Sequence, residues 1–285
     1  MHLDRRSAFA LLIVPLLFVL AFFVAPFGTV VWESFRSSQG VSLDQYAKLF
    51  DGLFFADVLW FTFRVSFWVT GCAFLVGYPL AYLMTRVVER RWIRRVMYVV
   101  IVTPLFTSNI VRSFGWMILL GRRGLINDAL VGLGILDRPM QLLNNELSIV
   151  IGMTYIMVPF MVLTVAAVLQ NIDRALEHAA RDLGANGWTT FLKVTFPLSM
   201  PGVAAGALIV FTLSVSAYVT PSILSGGKKT VMSMLIYQQY ATLFDFHFGA
   251  ALAVALLLAT LLLIAASRLW TPRGGRRVRA PGGTR

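Results

Sequence analysis

LSIVIGMTYIMVPFMVLTVAAVLQ, Leu147 to Gln170, runs twenty-four residues without a charge and leads directly into NIDRALEHAARDLGANGWTTFLKVTFPLSMPG, Asn171 to Gly202. The first half is apolar and long enough to cross a bilayer, which takes about 20 mainly apolar residues. The second half is polar and is not of low complexity. Ala175, Ala179, Leu183, Phe191 and Val194 recur in it at helical spacing. Asp173 stands where a helix N-cap belongs. Gly184 and Gly187 can break a helix and re-aim the chain, and Pro197 and Pro201 are expected to end the second piece before the next span. The stretch therefore reads as a membrane helix followed by two short amphipathic helices joined by a bend and held at the membrane face. Such an element can dock into a groove on a partner protein; a linker lying flat on the bilayer is the alternative.

Working outward, five more apolar runs meet the same length test. They span about Ser7–Trp32, Val58–Thr85, Val96–Gly121, Val203–Leu224 and Phe248–Ser267. Only Arg64 interrupts the second and only Arg112 the third. Prolines such as Pro104 and Pro159 do not veto a span, because neighbouring helices can satisfy the freed backbone groups. The first run follows Arg5 and Arg6, as a secretory signal would. It is longer than a signal core and no clear small-x-small cleavage site follows, so an uncleaved helix is expected. Composition agrees: 58% of the residues are hydrophobic, the mean hydropathy is +0.76, and 13% are charged, against about 25% in soluble domains. The fold class is thus an all-α integral membrane protein of six transmembrane helices. The segments are a cytoplasmic terminus over 1–6, a membrane domain over 7–268 with the polar loop 171–202 inside it, and a basic, disordered tail over 269–285.

The net charge of +12 raises nucleic acid as a partner. The basic residues cluster instead at the ends of apolar runs, which favours topology and anionic lipid. With a cytoplasmic amino terminus, sixteen of the 25 Lys and Arg fall inside, including Arg86, Arg90, Arg91, Arg94 and Arg95, and six spans return the carboxyl terminus to the cytoplasm. Arg64, near the outer end of its span, is expected to snorkel. Arg112 is costly unless it faces a cavity or a partner. The single cysteine, Cys72, lies in an apolar run and in no cluster of metal ligands; no metal is expected.

The loop also carries a resemblance. AARDLG, Ala179 to Gly184, followed after nine residues by Val194-x-Phe196-Pro197, resembles the signature of the inner-membrane permeases of binding-protein-dependent ABC importers: Glu-Ala-Ala, three residues, Gly, nine residues, Ile-x-Leu-Pro. Ala179 and Ala180 take the two alanine positions and Gly184 the glycine. His178 stands where the signature has Glu, and Glu177 is one residue early. Thr103 to Asn127 and Ser216 to Gln239 are similar to the spermidine/putrescine branch of the family. Related permeases for opines, amino-acid-like solutes and phosphonates share much of this pattern.

The resemblance implies the type I importer permease fold in a bacterial inner membrane, with both termini cytoplasmic. It implies a pair of permeases, the second a different chain, ABC ATPase subunits, and a soluble or lipid-anchored binding protein that delivers solute. The loop would couple to the ATPase through Glu177, His178, Ala179, Ala180, Asp182, Gly184, Ala185, Gly187 and Pro197. ATP and Mg would be used by that separate chain; no cofactor is expected here. Gly226 to Lys229 lacks the first Gly and the Ser/Thr of a P-loop, and the chain is not expected to be an enzyme itself. All thirteen acids lie outside the spans as drawn, so no buried carboxylate waits for a polyamine. Aromatic faces can hold a cation: Trp116, Tyr155 and Tyr218 are candidates for the solute path, with Asn109 and Ser216 as hydrogen-bond partners. A secondary transporter driven by an ion gradient is the reading from another class. It requires an intramembrane acid or His relay and an inverted repeat, and neither is seen.

Overall fold

The computed structural model describes residues 13–37, 40–51 and 53–270. The 1–6 segment, the first residues of the first span and the tail from Thr271 lie outside the described residues. Helix α1 spans Ile13–Ser34. A two-residue antiparallel pairing of β1 (Arg36–Ser37) with β2 (Gly40–Val41) and a short helix, α2 (Asp44–Phe50), lead into α3, Phe54–Val87. Then follow α4 (Arg91–Phe106), α5 (Asn109–Leu120), α6 (Leu125–Gly132) and α7 (Glu146–Asn171). The polar segment folds as α8 (Arg174–Asp182), and α9 covers Gly187–Ser216. After α10 (Val219–Leu224) and α11 (Met232–Gln238), α12 (Phe246–Trp270) closes the described chain. Five helices, α1, α3, α7, α9 and α12, are each long and apolar enough to cross a membrane; α4 with α5 and α6 forms a bent sixth.

Two expected spans are corrected. The third is no single rod from 96 to 121: α4 and the α5–α6 helix meet at an angle of 101°. The last turn of α4, Thr103–Phe106, tightens to a 3-10 helix around Pro104, and Thr107 is extended. Ser108 then accepts from the Ile110 N–H at 3.3 Å and caps a new helix. The fifth span was expected from Val203, with Pro197 and Pro201 as stops. Instead α9 runs through both prolines. A proline ring clashes with the carbonyl four residues back, and here a widened π turn, Phe191–Thr195, sits directly before Pro197. The far end of that span breaks at Ala217, which is extended, so α10 is a separate piece.

The centre of the molecule is a three-helix contact of α3, α7 and α9. Val65, Val69 and Ala73 of α3 bury against Met153, Met161, Val162 and Val165 of α7, with Val210 of α9. Small residues set the spacing: a Cβ on Gly77 would sit 2.9 Å from the Met161 Cγ, and one on Gly206 would sit 2.8 Å from its Sδ. Close approach of this kind drives helix association where lipid is as apolar as the side chains. A hydrogen bond of 2.9 Å between the Tyr78 and Ser199 hydroxyls ties α3 to α9 in the same core. By contrast α1 is exposed from Ile13 to Thr29 and packs mainly on α12, with Ser34 at its end hydrogen-bonded to the Tyr46 hydroxyl of α2 at 2.8 Å.

Candidate functional site

At one end of the bundle, α8 is defined by its own caps. Asp173 accepts from the Ala175 N–H at 2.9 Å and opens the helix. At the other end the Gly184 N–H donates to Arg181 O at 2.8 Å and the Ala185 N–H to Ala180 O at 3.0 Å. This is the paired bonding of a Schellman motif, which needs a left-handed residue, and Gly184 supplies it with a φ of +87°. Asn186 then accepts from the Thr189 N–H at 2.8 Å and starts α9. One glycine, not two, makes the bend: Gly187 is already the first helical residue of α9.

The element is bolted to the bundle from within. Arg86, near the end of α3, donates from Nη2 to Leu169 O at 2.8 Å and to Ile172 O at 2.9 Å. Leu169 O also accepts from the Ile172 N–H at 3.3 Å, so the guanidinium supplements the bonding at the end of α7, where helical carbonyls run short of partners. The Arg86 Nε lies 3.4 Å from the Glu177 carboxylate, with the two side chains 6% and 12% exposed. Glu177 also accepts from the Thr195 hydroxyl at 2.9 Å, so it faces inward. Arg174 donates back to Thr85 O at 3.0 Å, at the end of α3.

The opposite side of the element is open. His178, Ala179 and Asp182 are exposed, Ala180 and Ala185 half-buried, and nothing lies near Gly184. Leu183 is 90% exposed and Trp188 68%. Sequence reasoning placed Leu183 in an apolar face but did not single out either residue. An apolar side chain beside a capping glycine, with no core to meet, was the available signal. Pro197 sits farther along α9, exposed on its side.

In the membrane region the five candidate path residues do not form one site. Asn109, Ser216 and Tyr218 line a cavity of about 480 Å³ together with Arg112 and Thr220. Trp116 and Tyr155 line a different, apolar groove of about 460 Å³ beside Cys72, their rings edge-to-face at 5.6 Å. Tyr218 stacks on Tyr237 at 4.3 Å, which covers one of its faces. The Ser113 and Thr220 hydroxyls meet at 3.0 Å and join α5 to α10 beside the first cavity. Arg112 turns into that cavity and donates to Asn109. Arg64, expected to snorkel, pairs with Glu146 at the start of α7 through bonds of 3.1 and 2.5 Å. Among the described residues, no group of three His, Cys, Asp or Glu side chains is placed to hold a metal.

The family described as the binding-protein-dependent transport system inner membrane component matches residues 73–279. The chain is 32% identical over 224 residues to the spermidine/putrescine transport system permease protein PotB of Haemophilus influenzae, covering 79% of this chain and 77% of that one. It is 26% identical to the inner membrane ABC transporter permease protein YdcU of Escherichia coli, over 94% and 91% of the two chains. Among solved structures it is similar to a chain of a bacterial alginate ABC transporter in complex with an alginate pentasaccharide-bound periplasmic protein. The TM-score there is 0.76 at 19% identity, over 93% and 94% of the chains. A chain of the MetNI methionine ABC transporter in an inward-facing conformation gives a TM-score of 0.56 at 20% identity, over 75% and 93%.

Proposed function

The chain belongs to the family of binding-protein-dependent transport system inner membrane components, and from that premise we propose that it is one of two permease subunits of an ATP-driven importer for a polyamine, spermidine or putrescine. One observation carries the importer reading: a cap-defined bend at Leu183–Gly184, exposed outward and tied inward through Glu177 to Arg86. Force applied at the exposed face reaches α3, α7 and α9 through buried contacts, not through a slack loop. The likeness in sequence to spermidine/putrescine permeases supports the solute.

In this reading an ABC ATPase is a separate chain that binds ATP and Mg. Its groove receives α8, with His178, Ala179 and Asp182 around Gly184. Burying a large apolar side chain is worth about 1.5–3 kcal/mol, so Leu183 and Trp188 supply much of the attraction. A soluble or lipid-anchored binding protein delivers solute from the far side, and the two permeases switch between two rigid packings. Both termini are cytoplasmic, and the basic inner ends of the spans face anionic lipid.

The test is Gly184→Asp in the assembled complex. The ATPase is expected to stop co-purifying and uptake to fall to background. Retained ATPase with normal uptake rejects the docking role. Calorimetry of spermidine and putrescine on the cognate binding protein tests the solute separately. A receptor that ignores both overturns the polyamine reading and leaves the importer reading intact.

A further inference from the structure

The cavity between α5, α7, α9 and α10 holds a charge that this chain does not answer. One guanidinium nitrogen of Arg112 reaches Asn109, while its Nε and Nη1 are shielded from solvent and have no acceptor. No Asp or Glu lines the cavity. Buried donors on a charged group are costly to leave unmet, and an intramembrane arginine is paired or faces a cavity. The rim beside it is apolar and uncovered: Phe106 is 86% exposed, and Ile110 and Leu213 are exposed as well. Acyl chains satisfy such a rim but offer no acceptor. A protein surface offers both.

We propose that the second permease subunit covers this rim and places a carboxylate against Arg112. The inference rests on the two-permease reading given above. It also resolves the missing acid for a cationic solute. A carboxylate has about four acceptor sites, so one held by Arg112 keeps room for an ammonium group. The solute path is then incomplete in either permease alone: this chain contributes the positioning residue Arg112, and its partner the acid that touches solute.

The experiment uses the full complex of both permeases, ATPase and binding protein, reconstituted in liposomes with radiolabelled spermidine. Arg112→Lys is expected to retain most uptake. Arg112→Glu is expected to lower it about 100-fold, the scale of breaking a buried pair, with the complex still assembled. Replacing the responsible acid of the second permease by Lys in the Arg112→Glu background is expected to restore uptake. Arg112→Cys is expected to form a disulfide with a cysteine put at that same acid. Normal uptake by Arg112→Glu overturns the proposal, as does failure of every intramembrane acid of the second permease to rescue or cross-link. If the second permease does not co-purify with the wild-type chain, the two-permease reading itself falls. That result is read before any variant is made.

Discussion

Arg86 and Arg112 are two arginines at opposite fates within one bundle. Arg86 Nη2 donates to Leu169 O and Ile172 O, and its Nε, though without a hydrogen-bond acceptor, lies 3.4 Å from the Glu177 carboxylate as an ion pair. Arg112 has Asn109 and leaves Nε and Nη1 unmet. The first joins three elements of the same chain, so the polypeptide is finished at that end. The second faces a cavity whose polar lining is donors, hydroxyls and an amide with no acid. The lesson is that a membrane subunit can be complete mechanically and incomplete chemically, and that buried charge marks which end is which.

The contrast can be broken at Arg86. Arg86→Met leaves the Glu177 carboxylate buried without its ion-pair partner and removes the side-chain donor to Leu169 O and Ile172 O. Loss of one partner of a buried pair costs about 3–5 kcal/mol, so thermal unfolding in detergent should show a large drop. A shift within about 2 °C would put Arg86 in the same class as an ordinary surface charge. Glu177→Gln sharpens the point, since it keeps an acceptor for the Thr195 hydroxyl and removes only the charge. We expect about 1–3 kcal/mol of destabilisation, with ATPase stimulation by loaded binding protein weakened more than assembly. Asp173→Ala removes the α8 cap and should cost about 1 kcal/mol, seen as faster amide exchange confined to residues 174–178. The smallest effect belongs to Arg64→Gln. Its pair with Glu146 is 41% and 29% exposed, and such pairs contribute about 0–1 kcal/mol, so unfolding should be nearly unchanged and insensitive to salt.

Much of the fold could be read from apolar run length, because the bilayer dictates that length. What could not be read were the breaks. A window long enough to find a span averages over the polar triplet Thr107, Ser108 and Asn109, so the 101° bend is invisible to it; that triplet, with its serine cap after Pro104, is the trace the sequence carries. Pro197 looked like a stop because proline usually is one, and a π turn whose presence no sequence pattern announces lets the helix pass. The bent segment around α8 was legible in its caps and in Gly184, since those are local. Its anchor was not, because Arg86 and Glu177 are far apart in sequence and meet only through packing of α3 on α7. The path residues failed as a group for the same reason. Trp116 and Tyr155 share an apolar groove with Cys72, while Asn109, Ser216 and Tyr218 line the other cavity.

The uninterrupted course of α9 has a geometric consequence. At a rise of 1.5 Å per residue, a helix of its 30 residues is about 45 Å long, with Trp188 near one tip and Ser216 at the other. Tilting such a rod by about ten degrees about its foot swings the far tip sideways by about 8 Å, several times the diameter of a water molecule. A modest shift at the foot, where the ATPase is proposed to dock, would be magnified at the mouth of the cavity by length alone.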